Sequence, residues 1–232
     1  MIQASRFPRT ITNYCGKQRV RFEVEGDFNV ASVDKSLPYA GRVKRVVDML
    51  AALGGLLIAA PILAVAALLV KLDSSGPAFY SQERLGRGGI PFRILKLRTM
   101  TADAESRTGP VWAAENDPRI TRVGRWLRKC RIDELPQLIN VLRGEMSIVG
   151  PRPEREFFIR QLAEQIPHYS QRLMVRPGIT GWAQVTQPYA ASIVESRDKL
   201  QADLYYLRHM SVLVDIQIIL KTAKVVVLGH ER

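Results

Sequence analysis

The chain has 232 residues and a formal net charge of +12, carried by 34 Lys and Arg against 22 Asp and Glu. That length suits one main domain with appendages, and the charge favours phosphates, nucleic acid or an anionic leaflet as partners. The two cysteines, Cys15 and Cys130, provide no disulfide framework, and His168, His209 and His230 lack the i, i+4 spacing of a helical zinc pair.

In chain order, residues 1–38 form a lead segment. Within it Val20, Phe22 and Val24 alternate with Arg19, Arg21, Glu23 and Glu25 as one short amphipathic strand would, and Leu37-Pro38 ends it. No apolar stretch follows the early basic residues, which argues against a cleaved secretory signal and for a cytoplasmic location of the bulk of the chain. Residues 49–70 carry no charge and are rich in Leu, Ala, Val and Ile. As a straight helix they would reach about 33 Å, enough to cross a bilayer core. Pro61 in the middle predicts a kink or break, because it removes a backbone donor and crowds the preceding turn. Arg42, Lys44 and Arg45 before this segment and Lys71, Arg84 and Arg87 after it put both flanks on the cytoplasmic side. A re-entrant helix over about residues 43–72, broken at Ala60-Pro61 and anchored by Lys44 and Arg45 at the membrane interface, satisfies that symmetry. A straight span and the buried hairpin of a soluble protein are its rivals.

After the turn Ser74-Ser75-Gly76-Pro77, two strands of a small hairpin are expected around Gly86-Arg87-Gly88-Gly89. These glycines lack the Gly-Lys-Ser/Thr ending of a phosphate loop, so they serve turn geometry. Lys96 and Arg98, two apart in a strand, would share a face and could clamp a phosphate or stay solvated. Asp117-Pro118-Arg119-Ile120-Thr121 makes a turn into a basic helix, Arg122–Lys129, capped by Thr121. A second helix follows from Leu135, Leu138, Ile139 and Leu142, with Gly144 at its end, and a third occupies residues 154–165 before Pro167. Residues 176–181 read as a rigid loop. Ile193–His209 returns to helix, and Val212–Leu228, interrupted by Asp215, Gln217, Lys221 and Lys224, reads as a surface or membrane-interface helix. The fold class is therefore α+β and mostly helical, with residues 73–232 as a compact catalytic or binding part behind the apolar segment.

Asp133 stands where the chain enters the second helix, so it is a natural N-cap, and Glu134 suits the first turn; capping alone explains an isolated Asp-Glu pair. The preceding cations Arg128, Lys129 and Arg131 favour an ionised carboxylate there. Such an Asp can attack phosphorus, and the adjacent Glu can hold a divalent cation that offsets phosphate charge. Further on, Arg152 stands between Pro151 and Pro153, whose restricted backbone would fix the direction of its guanidinium for a bidentate phosphate contact.

The run Arg131-Ile132-Asp133-Glu134-Leu135-Pro136-Gln137-Leu138-Ile139-Asn140-Val141-Leu142, continued by Val149-Gly150-Pro151-Arg152-Pro153, resembles the signature of the bacterial sugar transferases, the monotopic phosphoglycosyltransferases. Lys96-Leu97-Arg98-Thr99-Met100, Asp117-Pro118-Arg119-Ile120-Thr121 and Pro177-Gly178-Ile179-Thr180-Gly181-Trp182-Ala183-Gln184-Val185 match the same family in order, so that the likeness covers residue 40 or so to the C-terminus. The resemblance implies a monotopic enzyme on the cytoplasmic face of the bacterial inner membrane, with a re-entrant helix, interfacial helices and two-step chemistry. Asp133 would attack the sugar-bearing phosphate of a UDP-sugar and release UMP. Polyprenyl phosphate, undecaprenyl phosphate in bacteria, would then take the phosphosugar and so initiate exopolysaccharide, capsule, O-antigen or glycoprotein glycan assembly. Glu134 matches the Mg2+ ligand, and Arg128 and Arg152 fall where family arginines contact phosphate. Two departures stand out. Ala60 replaces the serine that many members have before the helix-breaking proline, and residues 1–38 have no counterpart. Larger members carry a multi-span region before the catalytic part, so the chain is expected to be the minimal catalytic form with an extension. A one-step metal-dependent transfer and a non-catalytic basic membrane-binding module are the competing readings. No nucleic-acid-binding motif occurs, and no motif reads the sugar or decides whether the chain is a homo-oligomer.

Overall fold

In a computed structural model, which describes residues 11–15, 18–22, 39–101, 104, 117–187 and 193–228, the apolar segment is a single 30-residue helix, α1 (Lys44–Asp73). Pro61 lies inside it and the chain stays helical on both sides, so the two half-helices expected around Ala60-Pro61 are not separated by a non-helical break. Ala60 and Pro61 are exposed, as are Leu57, Ile58 and Leu72, each more than 70% accessible. By length and composition the stretch Gly41–Asp73 is able to cross a membrane.

Both ends of α1 grip the same body. Near its start, Lys44 is buried in an ion pair with Asp215, and the Asp48 carboxylate accepts from the Ile148 amide at 3.0 Å. The Arg45 guanidinium donates to the carbonyls of Val141 and Leu142 at 2.5 and 2.8 Å. Lys44 and Arg45, expected at the membrane interface, thus bond to the protein itself at the start of α1. At the other end, Asp73 accepts from the Val123 amide at 3.0 Å, while Ala66 and Val70 pack with Leu97 and Leu127.

The hairpin forms as expected, β3 (Phe79–Leu85) running antiparallel to β4 (Pro91–Leu97) around a glycine turn with Gly88 and Gly89 at positive φ. Upstream, β1 (Ile11–Cys15) pairs with β2 (Gln18–Phe22), so the lead segment holds two strands where alternation suggested one; Val24 lies outside the described residues. Helix α2 (Arg122–Lys129) begins at Thr121, whose hydroxyl accepts from the Gly124 amide at 3.0 Å. Helix α3 (Gln137–Arg143) ends at Gly144 with φ 84°. Then come β5 (Ser147–Val149), α4 (Glu156–Gln165), β6 (Gly178–Thr180), α5 (Trp182–Thr186), α6 (Ile193–His209) and α7 (Val212–Leu228). α7 buries Ile218 and Asp215 and exposes Leu213 and Leu220.

Residues 176–181 are less a free loop than half of a parallel pair, since β6 runs beside β5 with Ser147 opposite Gly178. The pair is too short to show as strand pattern in sequence, but its glycines allow the backbones to touch. A Cβ at Gly178 would stand 2.1 Å from the Gly150 nitrogen and 2.4 Å from the Thr180 oxygen. Gly178→Ala is therefore expected to destabilise the protein by about 3 kcal/mol or more. A thermal melt of the detergent-purified protein checks this, and an unchanged midpoint would contradict the packing.

Candidate active site

Three elements converge on Asp133 and Glu134. The first is β4, whose penultimate residue Lys96 points at them. The second is the turn that follows α2, in which Arg131 adopts a left-handed conformation with φ 57° and reverses the chain into a 3-10 turn, Ile132–Glu134. A non-glycine residue rarely sits there, and such strain concentrates at functional sites. The third is the segment after β5 that carries Arg152. Asn140, from within α3, ties that helix to β4. Its side chain accepts from the Leu95 amide at 3.0 Å and donates to the Arg93 carbonyl at 2.8 Å, with no exposed surface. Sequence reading passed over Asn140 as a helical residue, although a polar side chain on a face of Leu and Val was a signal for it.

Glu134 accepts from Lys96 at 3.0 Å and from Arg152 at 2.5 Å, with Arg131 at 3.7 Å. Burial opposes its ionisation, but Arg152, Lys96 and Arg131 together outweigh burial and hold it well below the usual carboxylate range. Asp133 moves the other way. Burial and the charge of Glu134 raise it, against the pull of Lys96, Arg128 and Arg152. The cations expected to favour an ionised Asp133 are thus opposed first by burial and then by the adjacent charge of Glu134. Nor does Asp133 cap α3, which starts at Gln137 with Pro136 as its first flanking residue. Asp133 instead keeps Oδ1 buried without a hydrogen-bond partner. Two adjacent carboxylates driven apart in proton affinity are a recurrent arrangement where acid, base or nucleophile roles are divided.

Of the other expected site residues, Arg128 lies in the last turn of α2 and donates from Nε to the Thr99 hydroxyl at 2.8 Å, close enough to act on Asp133 electrostatically. Arg98 is not part of the cluster. It follows the last residue of β4, so the alternation that would align it with Lys96 ends. Its guanidinium binds the Ser74 carbonyl at 2.8 Å and the Ser75 carbonyl as well, tying the end of α1 to the hairpin. Arg98, expected to bind phosphate, is instead occupied in this capping role.

Among the described residues no group of three or more His, Cys, Asp or Glu side chains forms a metal cage. The oxygens of Glu134 and the unpartnered Asp133 Oδ1 do fit a hard divalent cation of the magnesium type, which takes one or two carboxylates and completes its shell with water and substrate phosphates. Beside the pair, an apolar cavity of about 350 Å³ opens between α1 and α2, lined by Pro61, Ile62, Val65, Ala66, Leu69, Trp126 and Ile132. Ile132, one of its lining residues, precedes Asp133 in the chain.

Residues 39–229 match the sequence profile of the family described as bacterial sugar transferase. Over 192 residues the chain is 44% identical to the UDP-N-acetylgalactosamine-undecaprenyl-phosphate N-acetylgalactosaminephosphotransferase of Aeromonas hydrophila, covering 83% of this chain and 45% of that protein. It is 46% identical over 181 residues to the UDP-glucose:undecaprenyl-phosphate glucose-1-phosphate transferase of Caulobacter vibrioides, covering 77% of this chain and 67% of the relative. It is also 40% identical over 188 residues to the exopolysaccharide production protein PSS of Rhizobium leguminosarum bv. phaseoli, covering 78% of this chain and 92% of that one. The chain thus spans less than half the length of the Aeromonas protein.

Proposed function

The chain belongs to the bacterial sugar transferase family, and from that premise we propose that it transfers a sugar-1-phosphate from a UDP-sugar to a membrane polyprenyl phosphate, undecaprenyl phosphate being the acceptor in the names of its relatives. The observation that carries the reading is the buried pair Asp133 and Glu134, in which Glu134 holds the surrounding cations and Asp133 is left with an uncommitted oxygen.

In the first step an ionised Asp133 oxygen attacks the sugar-bearing phosphorus. The new oxygen–phosphorus bond forms as the bond from that phosphorus to the bridging oxygen breaks, and UMP leaves with that oxygen. In the second step a phosphate oxygen of the polyprenyl phosphate attacks the same phosphorus, and the Asp133 carboxylate departs. Lys96, Arg128, Arg131 and Arg152 bind the phosphate oxygens, whose negative charge would otherwise repel the nucleophile. Glu134, with Asp133 beside it, would hold Mg2+, which when bound neutralises charge on the diphosphate. The apolar cavity between α1 and α2 receives the first isoprene units, so that a chain buried in lipid presents its phosphate beside Ile132 and Asp133.

The same reading makes the protein monotopic. A straight helix over residues 44–73 would be roughly 45 Å long and would carry its ends to opposite sides of a hydrocarbon core of about 30 Å. The docking of both ends of α1 on one body supports entry and return through a single face, the cytoplasmic one, with the exposed apolar side chains of α7 at the interface. Single cysteines at the exposed positions Arg42 and Lys71, in a background without Cys15 and Cys130, are expected to be labelled from the cytoplasmic side alone; labelling from opposite sides would mean a span.

UMP release, measured with a panel of UDP-sugars, polyprenyl phosphate and Mg2+, tests the function. The account expects release that needs the metal and a particular sugar. Absence of UMP with every donor would favour the non-catalytic membrane-binding module. The relatives' names divide between N-acetylgalactosamine and glucose, so the panel must include both.

A further inference from the structure

Beneath the Arg152 segment lies a buried ionic cluster that the transfer chemistry does not itself use. Arg172 occupies the turn Tyr169–Met174 and is 5% exposed. Its Nη1 lies 2.6 Å from Glu154 Oε1 and donates to the Tyr169 hydroxyl at 2.8 Å. Its Nη2 lies 2.8 Å from Asp203 Oδ2, on α6, and donates to the Arg152 carbonyl at 3.2 Å. The Tyr169 hydroxyl donates in turn to Glu154 Oε2 at 2.8 Å, and the tyrosine ring lies 5.1 Å from the guanidinium carbon.

Burying the ionised Arg172 and Asp203 beside a partly exposed Glu154 is a poor way to gain stability, since apolar side chains of similar volume do as well or better. The cluster does have a geometric consequence. Pro151 and Pro153 have no N–H to offer, so the Arg152 segment is anchored through its carbonyls. The Pro151 carbonyl accepts from the Gly178 amide at 2.9 Å, that of Arg152 from Arg172, and that of Glu154 from the Leu85 amide at 3.0 Å. Arg172 thus fixes the backbone from which the Arg152 side chain reaches Glu134.

We propose that Arg172 is a positioning residue: paired with Glu154 and Asp203, it holds the Arg152 backbone so that the Arg152 guanidinium is aimed at Glu134 and at the diphosphate of the donor. This rests on the reading of Arg152 as a phosphate ligand given above. A fork of donors is required for the task, because one guanidinium must serve two carboxylates, a hydroxyl and a carbonyl together; an ammonium keeps the charge but cannot reproduce that geometry.

The test is a double-mutant cycle read by the binding of UDP, the nucleoside diphosphate common to all candidate donors, to the purified full chain with Mg2+. Arg172→Lys keeps the buried charge and is expected to weaken UDP about tenfold, and Arg152→Ala at least as much. If Arg172 acts through Arg152, the double variant binds UDP within about twofold of Arg152→Ala alone. Losses that multiply in the double variant overturn the inference while leaving Arg152 as a ligand. A wild-type protein that does not bind UDP defeats the phosphate-ligand reading, and the inference with it. Tyr169→Phe, which removes the hydroxyl shared by Arg172 and Glu154, gives the same cycle in milder form should Arg172→Lys not fold.

Discussion

Asp133→Asn is expected to lower transfer on the order of 10,000-fold or more while leaving the protein folded, because an amide cannot serve as the nucleophile and no neighbouring group replaces it. Its effect on stability should be neutral or favourable. The Asp133 carboxylate is held in a site where burial and Glu134 both disfavour its charge, and its Oδ1 lacks a partner, so the amide removes a cost. A variant that melts at or above the wild-type temperature and releases no UMP would separate chemistry from folding. The pH profile gives a second view. Since the Asp133 pKa is raised, the nucleophilic form is present above that value and is lost as pH falls through it. The acid limb of kcat/KM should then lie above the ordinary Asp value of about 3.9. A profile flat down to that value would contradict the assignment.

Glu134→Gln should show the opposite stability sign. Glu134 is the counterion for Lys96 and Arg152, and removing it leaves those cations in a largely dehydrated site. Breaking such a pair costs about 3 kcal/mol, the lower end of the usual range, because the Arg152 side chain is 37% exposed and can turn toward water. Transfer should fall on the order of 100- to 1,000-fold, with the dependence on Mg2+ concentration flattened. The measurements are a thermal melt and UMP release against a magnesium titration. Retained stability with a normal magnesium response would remove Glu134 from both roles. Two adjacent acidic residues with opposite effects on stability are the signature of a pair whose proton affinities the site has driven apart.

Much of this was legible in the sequence where local rules act alone. The Thr121 cap, the hairpin around Gly86 to Gly89 and the helices Ile193–His209 and Val212–Leu228 follow from capping, turn chemistry and apolar spacing, and the structure has them at those places. The departures arise where tertiary contacts decide. Arg98 was grouped with Lys96 by strand alternation, but the strand stops one residue short and the carbonyls at the end of α1 claim its guanidinium. Lys44 is expected at the membrane interface by its place beside an apolar run, but its buried partner Asp215, 171 positions away, is not readable from that place. The Asp133 charge state could not be read from the chain, because its burial, the first cause of the upward shift, is set by tertiary packing, and the opposing Lys96 and Arg152 come from distant segments. Asn140 and Arg172 likewise perform their work through contacts that spacing does not encode.

The central claim is that Asp133 becomes covalently bonded to the phosphosugar. Intact-mass analysis of the purified chain, incubated with its UDP-sugar and Mg2+ but no polyprenyl phosphate, tests it most directly. The account predicts one equivalent of UMP released and a mass gain of one sugar phosphate, mapped to the peptide containing Asp133 and discharged when polyprenyl phosphate is added. An unmodified protein that releases UMP only when the acceptor lipid is present would contradict it and establish a one-step transfer instead.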